Sequence, residues 1–249
     1  GFFGQFLARD GKEAAALAVA AGVSIELPEP DCYPNLLELV KEGTLSESLI
    51  DERIAPMLEW KFKLGLFEDP FVNPDTAEQV VGCDRHRDLA LEAACKTITL
   101  LKNDNDAAPL DPSTIKTIAV IGPNADRVLL GGYSAVPKQF ITVLQGIRRA
   151  AGDSVNVLYH EGCKITVGGS WAQDEVVLSD PEEDRKSIAR AVEIARRADV
   201  IVLALGGNEQ TSREAYDVNH MGDRTNLQMV GLQDELVDAL AALKKPLIA

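Results

Sequence analysis

The sequence predicts an α/β fold built on a doubly wound, mostly parallel sheet. Ile115 to Ile121 and Val200 to Leu205 are short, apolar and rich in β-branched residues, as strands buried on both faces are. Helix-period segments lie between and around them, and a third strand-like run, Val155 to Tyr159, keeps strand and helix alternating from residue 115 onward. In such sheets the ligand crevice lies outside the carboxyl ends of the strands, so the loops after Ile121 and Leu205 are the places to look.

The elements follow in chain order. Gly11 to Ala21 has helical spacing of Ala14, Leu17, Ala18 and Ala21, and Gly22 ends it. Val23 to Leu27 alternates like a strand and stops at Pro28 and Pro30. Pro34 to Glu42 reads as a helix closed by Gly43. Thr44-Leu45-Ser46-Glu47 has the form of a capping box, opening a helix that runs to about Gly65 with Pro56 as an expected kink. Glu68 to Asp75 is Pro-rich, polar and without period, a linker signal. A helix from Arg85 to Cys95 passes into the strand-like Thr97 to Leu101. Gln139 to Ala150 looks helical, and 162–178 irregular. Asp180-Pro181-Glu182-Glu183 is a strong helix start, with a cap, a first-turn proline and acids facing the helix dipole. Val230 to Leu243 is a last helix, and Pro246 opens a last strand.

The net charge is −14, from 25 Lys and Arg against 39 Asp and Glu. A polyanion would meet a repulsive field, which argues against nucleic acid and against an anionic membrane surface. No apolar run approaches the ~18 residues of a membrane span. Cys32, Cys83, Cys95 and Cys163 are widely spaced, with no metal-binding pair, and read as buried thiols. The chain lacks an initiator Met and closes on what reads as the opening of a strand, so a piece of a longer protein is expected.

The loop from Gly206 to Arg224 holds the densest chemistry. It follows a buried strand, is long for a simple connection, and carries Glu209, Glu214, Asp217, Asp223, two Arg and His220. A carboxyl there could serve as a general acid if its surroundings raised its pKa; a solvated loop of surface ion pairs is the plainer reading. Glu26 ends the run Val23 to Leu27 on the parity opposite to its apolar residues. It is either a solvent-facing residue or a carboxylate on the rim of a barrel. Gly131-Gly132-Tyr133-Ser134 presents an aromatic that could stack on a sugar face, or is a plain turn. Gly122-Pro123-Asn124 follows a strand but lacks a dinucleotide or nucleotide fingerprint. His86, His160 and His220 have no metal spacing; His86 reads as structural and His160 as a strand end.

Several segments in one order resemble glycoside hydrolase family 3. They are Ala20 to Pro28, Ile50 to Ile54, Lys61 to Pro70, His86 to Ala90 with Leu100 to Asn103, Ile118 to Asp126, Gly131 to Ser134, and Gly222-Asp223-Arg224 with Gln233. The resemblance covers nearly the whole chain. It implies the C-terminal segment of a TIM-like barrel over 1–68, a linker over 69–84 and an α/β sandwich over 85–249, incomplete at its end. It also implies retaining exo-hydrolysis of β-linked glucosides or xylosides, with no cofactor and no metal.

In the family the nucleophile is an Asp in a Ser-Asp-Trp-like context. That context is absent, because the one Ser-Asp pair is Ser179-Asp180 before a helix, so the nucleophile is expected upstream in the same polypeptide. Ser24 stands where the family usually has Asp. The acid/base is expected at Glu214, which lies nearer the Gly-Asp-Arg turn than Glu209 and whose Glu-Ala resembles the family's Glu-Gly; Glu209 is the second choice. Tyr133 matches an aromatic near the leaving group, with Glu26 and His220 as weaker contacts. The expected partner is a β-linked oligosaccharide or glycoside, a homo-oligomer being left open. The rival readings are a non-catalytic carbohydrate-binding or scaffold protein on the same fold, and a nucleotide-binding domain.

Overall fold

The computed structural model describes residues 7–131, 134–137, 139–168, 175–211 and 226–249. The chain divides into two compact units, Gly1–Thr99 and Leu100–Ala249.

The first unit is helical. Helix α1 (Gly11–Ala20) is capped by Asp10, whose carboxylate accepts from the Glu13 N–H. It packs on α2 (Leu36–Lys41) and α3 (Glu47–Lys63), with Ala15, Val19, Leu39 and Leu45 forming a small core. Arg53 on α3 donates to the Val19 carbonyl at 2.9 Å, and Lys12 on α1 pairs with Glu42 at 2.7 Å. Two further helices follow, α4 (Pro74–Val80) and α5 (Asp84–Thr97).

Among the described residues the second unit holds a four-stranded parallel sheet in the order β2-β1-β3-β4, made of β1 (Thr117–Ile121), β2 (Asn156–His160), β3 (Val200–Leu203) and β4 (Leu247–Ile248). Helices α6 (Val143–Ala151), α7 (Pro181–Ala195) and α8 (Gln233–Ala241) make the crossovers. The strand pleat sorts the core into two. Ala119, Ile121, Ile201 and Leu203 point one way, onto Ile188, Ala191 and Ala195 of α7 and Leu236 and Leu240 of α8. Ile118, Val120 and Val200 point the other way, onto Leu144 of α6 and Val155. Each large side chain buried in this way contributes about 1.5–3 kcal/mol. Apolar cores on both faces are what the unbroken runs in the strands predict, and the parallel α/β sheet is as expected.

Four expectations are corrected. Val23–Leu27 forms no strand; it pairs with no other segment among the described residues, and period-two alternation alone does not make a ladder. Thr97 to Leu101 likewise forms none: Thr97 ends α5, and Leu101 beyond it is 91% exposed. The start of α3 is capped by Ser46, not Thr44; Ser46 Oγ accepts from the Leu49 N–H, so the capping-box pattern sits two residues too early. Of the four cysteines only Cys163 is buried, its pKa pushed up to about 12 by burial; Cys95 is exposed and none is disulfide-bonded. Helix α3 runs through Pro56 as one element.

Candidate active site at the sheet switch point

From β1 the chain crosses to β2 on one side, while β3 joins β1 on the other. The order therefore reverses between β1 and β3, and their carboxyl ends define the crevice. The turn after β1 (122–126) and the segment after β3 (204–211) border it.

Backbone bonds draw these two segments together. The Ala204 N–H donates to the Ile121 carbonyl at 2.9 Å, and the Asn124 N–H to the Ala204 carbonyl at 3.2 Å. Gly122 permits this approach. Its φ is +132°, and a Cβ there would overlap the Ala204 carbonyl oxygen, so a side chain fails on both counts. The side chain of Asn124 then donates to the Gly207 carbonyl at 3.1 Å. Asp126 accepts from Thr142 Oγ1 at 2.8 Å, and Thr142 makes a capping box with Gln145 that starts α6. This ties the turn after β1 to α6.

The segment after β3 is held as firmly. Gln233, fully buried at the start of α8, clamps Gly206 from both sides: its Oε1 accepts from the Gly206 N–H at 2.9 Å, and its Nε2 donates to the Gly206 carbonyl at 3.0 Å. The Asn208 side chain accepts from the N–H groups of Gln210 and Thr211 at 3.1 and 3.2 Å, and donates to Thr166 Oγ1 at 2.8 Å. This bent turn carries Glu209 partly exposed and leads into the acidic loop. Glu214, His220 and Tyr133 lie outside the described residues.

Two further sequence candidates are placed. His160 ends β2 as expected; its Nδ1 accepts from the Gly162 N–H at 3.0 Å, so the neutral ring carries its proton on Nε2. Burial, and then Arg190, hold its pKa below the usual value. Glu26 belongs to the first unit. Both its oxygens accept from the Cys32 N–H at 2.9 Å, and one from the Tyr33 N–H at 2.8 Å, while Tyr33 Oη donates to the Val23 carbonyl. Burial pushes the Glu26 pKa up, but these N–H bonds outweigh it and leave the carboxyl below its ordinary value. Its oxygens are thus committed to shaping the 26–33 loop.

Sequence reading passed over Asn124, Asn208, Gln210 and Thr166 as ordinary loop residues. The one available signal was an Asn two residues after a glycine at a strand end. Among the described residues no group of three His, Cys, Asp or Glu side chains has metal-holding geometry. No described helix is long and apolar enough to cross a membrane.

The profile of the glycosyl hydrolase family 3 C-terminal domain matches residues 98–249. A beta-xylosidase of Formosa agariphila is 35% identical over 98% of this chain and 33% of its own length. The periplasmic beta-glucosidase of Salmonella typhimurium is 34% identical over 97% of this chain and 32% of its own length. The chain thus spans about a third of these relatives. Among solved structures, a β-glucosidase of Erythrobacter marinus superposes with a TM-score of 0.82 at 40% identity, covering 96% of this chain and 33% of that one. The Listeria innocua beta-glucosidase in complex with isofagomine gives 0.72 at 29% identity, covering 98% and 31%.

Proposed function

Because the chain belongs to glycosyl hydrolase family 3, we propose that it supplies the acid/base of a retaining exo-β-glycosidase that removes terminal β-linked glucose or xylose. The observation that carries this is the agreement of two things at one place. Relatives named for these two activities match nearly the whole chain, and the segment that borders the sheet's switch point after β3 carries Glu209 and precedes Glu214 in the sequence.

Glu214 is the acid/base. As a carboxylic acid it protonates the glycosidic oxygen while an Asp carboxylate attacks the anomeric carbon, expelling the aglycone and leaving a glycosyl-enzyme. As a carboxylate it then takes a proton from water, which attacks the same carbon and frees sugar and Asp. Retention needs the two carboxyls about 5–5.5 Å apart. The Asp belongs to the barrel of the same polypeptide, whose C-terminal segment is 1–68, joined through 69–84 to the sandwich of 85–249. Tyr133 holds the aglycone side and His220 adds a contact. Glu26 shapes its loop through its three backbone bonds.

The test is Glu214→Ala in the full-length enzyme. The expected result is a loss of about 10²–10⁴-fold on substrates with poor leaving groups, a far smaller loss on activated aryl glycosides, and rescue by azide with formation of the β-glycosyl azide. An unchanged rate would move the acid/base to Glu209.

A further inference from the structure

Strand β2 ends on His160, and the side chain of that residue closes the turn that follows. Its Nδ1 accepts from the buried Gly162 N–H at 3.0 Å. A side chain bonding the N–H two residues on makes the geometry of an Asx turn, which Asn or Asp ordinarily supplies. Of these three residue types, histidine alone loses its acceptor to a proton between pH 8 and 5.

Gly162 has no slack to absorb that loss. Its φ is +80°, and a Cβ on it would lie 2.6 Å from Leu236 Cδ2 of α8 and 3.3 Å from Ile121 Cγ2 of β1. With Nδ1 protonated, two N–H donors face each other and the buried Gly162 N–H is left unpaired, which costs stability. The turn also touches both segments that border the switch point. The His160 carbonyl accepts from the Gly122 N–H at 3.2 Å, and Gly122 is the residue packed on Ala204. Leu236 lies about one helical turn beyond Gln233, whose amide clamps Gly206.

The charges around the ring are mixed. Arg190 of α7 opposes its protonation, and Glu161, in the turn itself, favours it. Lys164 and, from α7, Glu183, Asp184 and Lys186 line the cleft that Glu161 and Arg190 share. β1 and α8 present the uncharged Ile121 and Leu236 to the turn. Burial and Arg190 together outweigh Glu161, so the closed turn favours the neutral ring.

We propose that the His160–Gly162 turn is an acid-released latch on the crevice, closed while Nδ1 is free to accept and opened when a proton takes its place. Because the closed turn holds the neutral ring, its contribution is fully present above the ordinary histidine pKa, about 6.5, and is lost as pH falls below it. The inference does not depend on which carboxyl is the acid/base.

The experiment is hydrogen–deuterium exchange of the full-length protein at pH 7.5 and 5.0, with exchange times scaled for the intrinsic pH dependence. Protection is read in peptides covering 156–168 and 230–243. An opened turn whose ring titrates near 6.5 is favoured up to about thirtyfold more at pH 5.0, so a loss of protection of about tenfold is expected. H160N keeps an uncharged acceptor in an Asx turn and is expected to lose less than about twofold. H160L has no acceptor and is expected to show at pH 7.5 the low protection that the unsubstituted protein reaches at pH 5.0. An equal acid loss in H160N would overturn the inference, because groups other than His160 would then be responsible. So would an unsubstituted protein that keeps its protection at pH 5.0, an H160N already unprotected at pH 7.5, or an H160L as well protected there as the unsubstituted protein.

Discussion

Asp199 sits just before β3, and one of its carboxylate oxygens accepts from the backbone N–H groups of Lys116 and Thr117 at 2.8 and 2.9 Å. One side chain thereby fixes the lower ends of the two central strands. The Thr117 and Lys116 bonds favour the charged form and, against some burial, hold the Asp199 pKa below its ordinary value. A carboxyl depressed in the folded state stabilises above its unfolded pKa, about 3.9, and loses that contribution as pH falls through the folded value. Asp199→Ala is therefore expected to lower the melting temperature at neutral pH, with the gap to the unsubstituted protein closing in acid below about pH 4. A melting series against pH checks this; a gap that stayed constant into strong acid would contradict the ionic role. At this scale the sequence was least readable. Asp199 and Gln210 look like any polar residue at a strand or loop border. What distinguishes them is pairing with residues more than eighty positions away in one case, and complete burial in the other.

At the scale of elements, period and punctuation were more telling. The buried runs at 117–121 and 200–203 and the helix start at Asp180 are where their residues place them, because each is set by local pattern. Val23–Leu27 failed because a strand also needs a neighbour, which no local pattern supplies. Ser46 displaced Thr44 as the cap because both can accept a hydrogen bond, and the choice follows from where the chain turns into α3. The prediction belonging here concerns the contact between the turns after β1 and β3. Gly122→Ala would force a Cβ onto the Ala204 carbonyl in a backbone conformation that suits glycine. It is expected to destabilise the second unit by about 2–4 kcal/mol, read by chemical denaturation. A change below about 0.5 kcal/mol, the usual size of a surface substitution, would show that the two turns separate without cost.

For the whole molecule, the proposal divides one reaction between parts of a longer chain. The 249 residues by themselves are expected to show no turnover of an activated aryl glucoside or xyloside, because the proposal puts the attacking carboxylate elsewhere. Ordinary turnover by the isolated chain would refute the division. The first unit also leaves Trp60, Phe62, Leu89 and Leu91 more than half exposed, as surfaces awaiting neighbours often are.

The sheet order has a consequence for the birth of the fold. β1 is made first, yet its two neighbours arrive some forty and eighty residues later, and each must close a crossover before it can pair. A ribosome-bound chain halted before residue 200 would hold β1 with one bare flank and the core beneath α7 unsealed. The last strand to join the centre is also the one that delivers the segment with Glu209 and Gln210, so the crevice comes into being in the same step that closes the sheet on its middle strand.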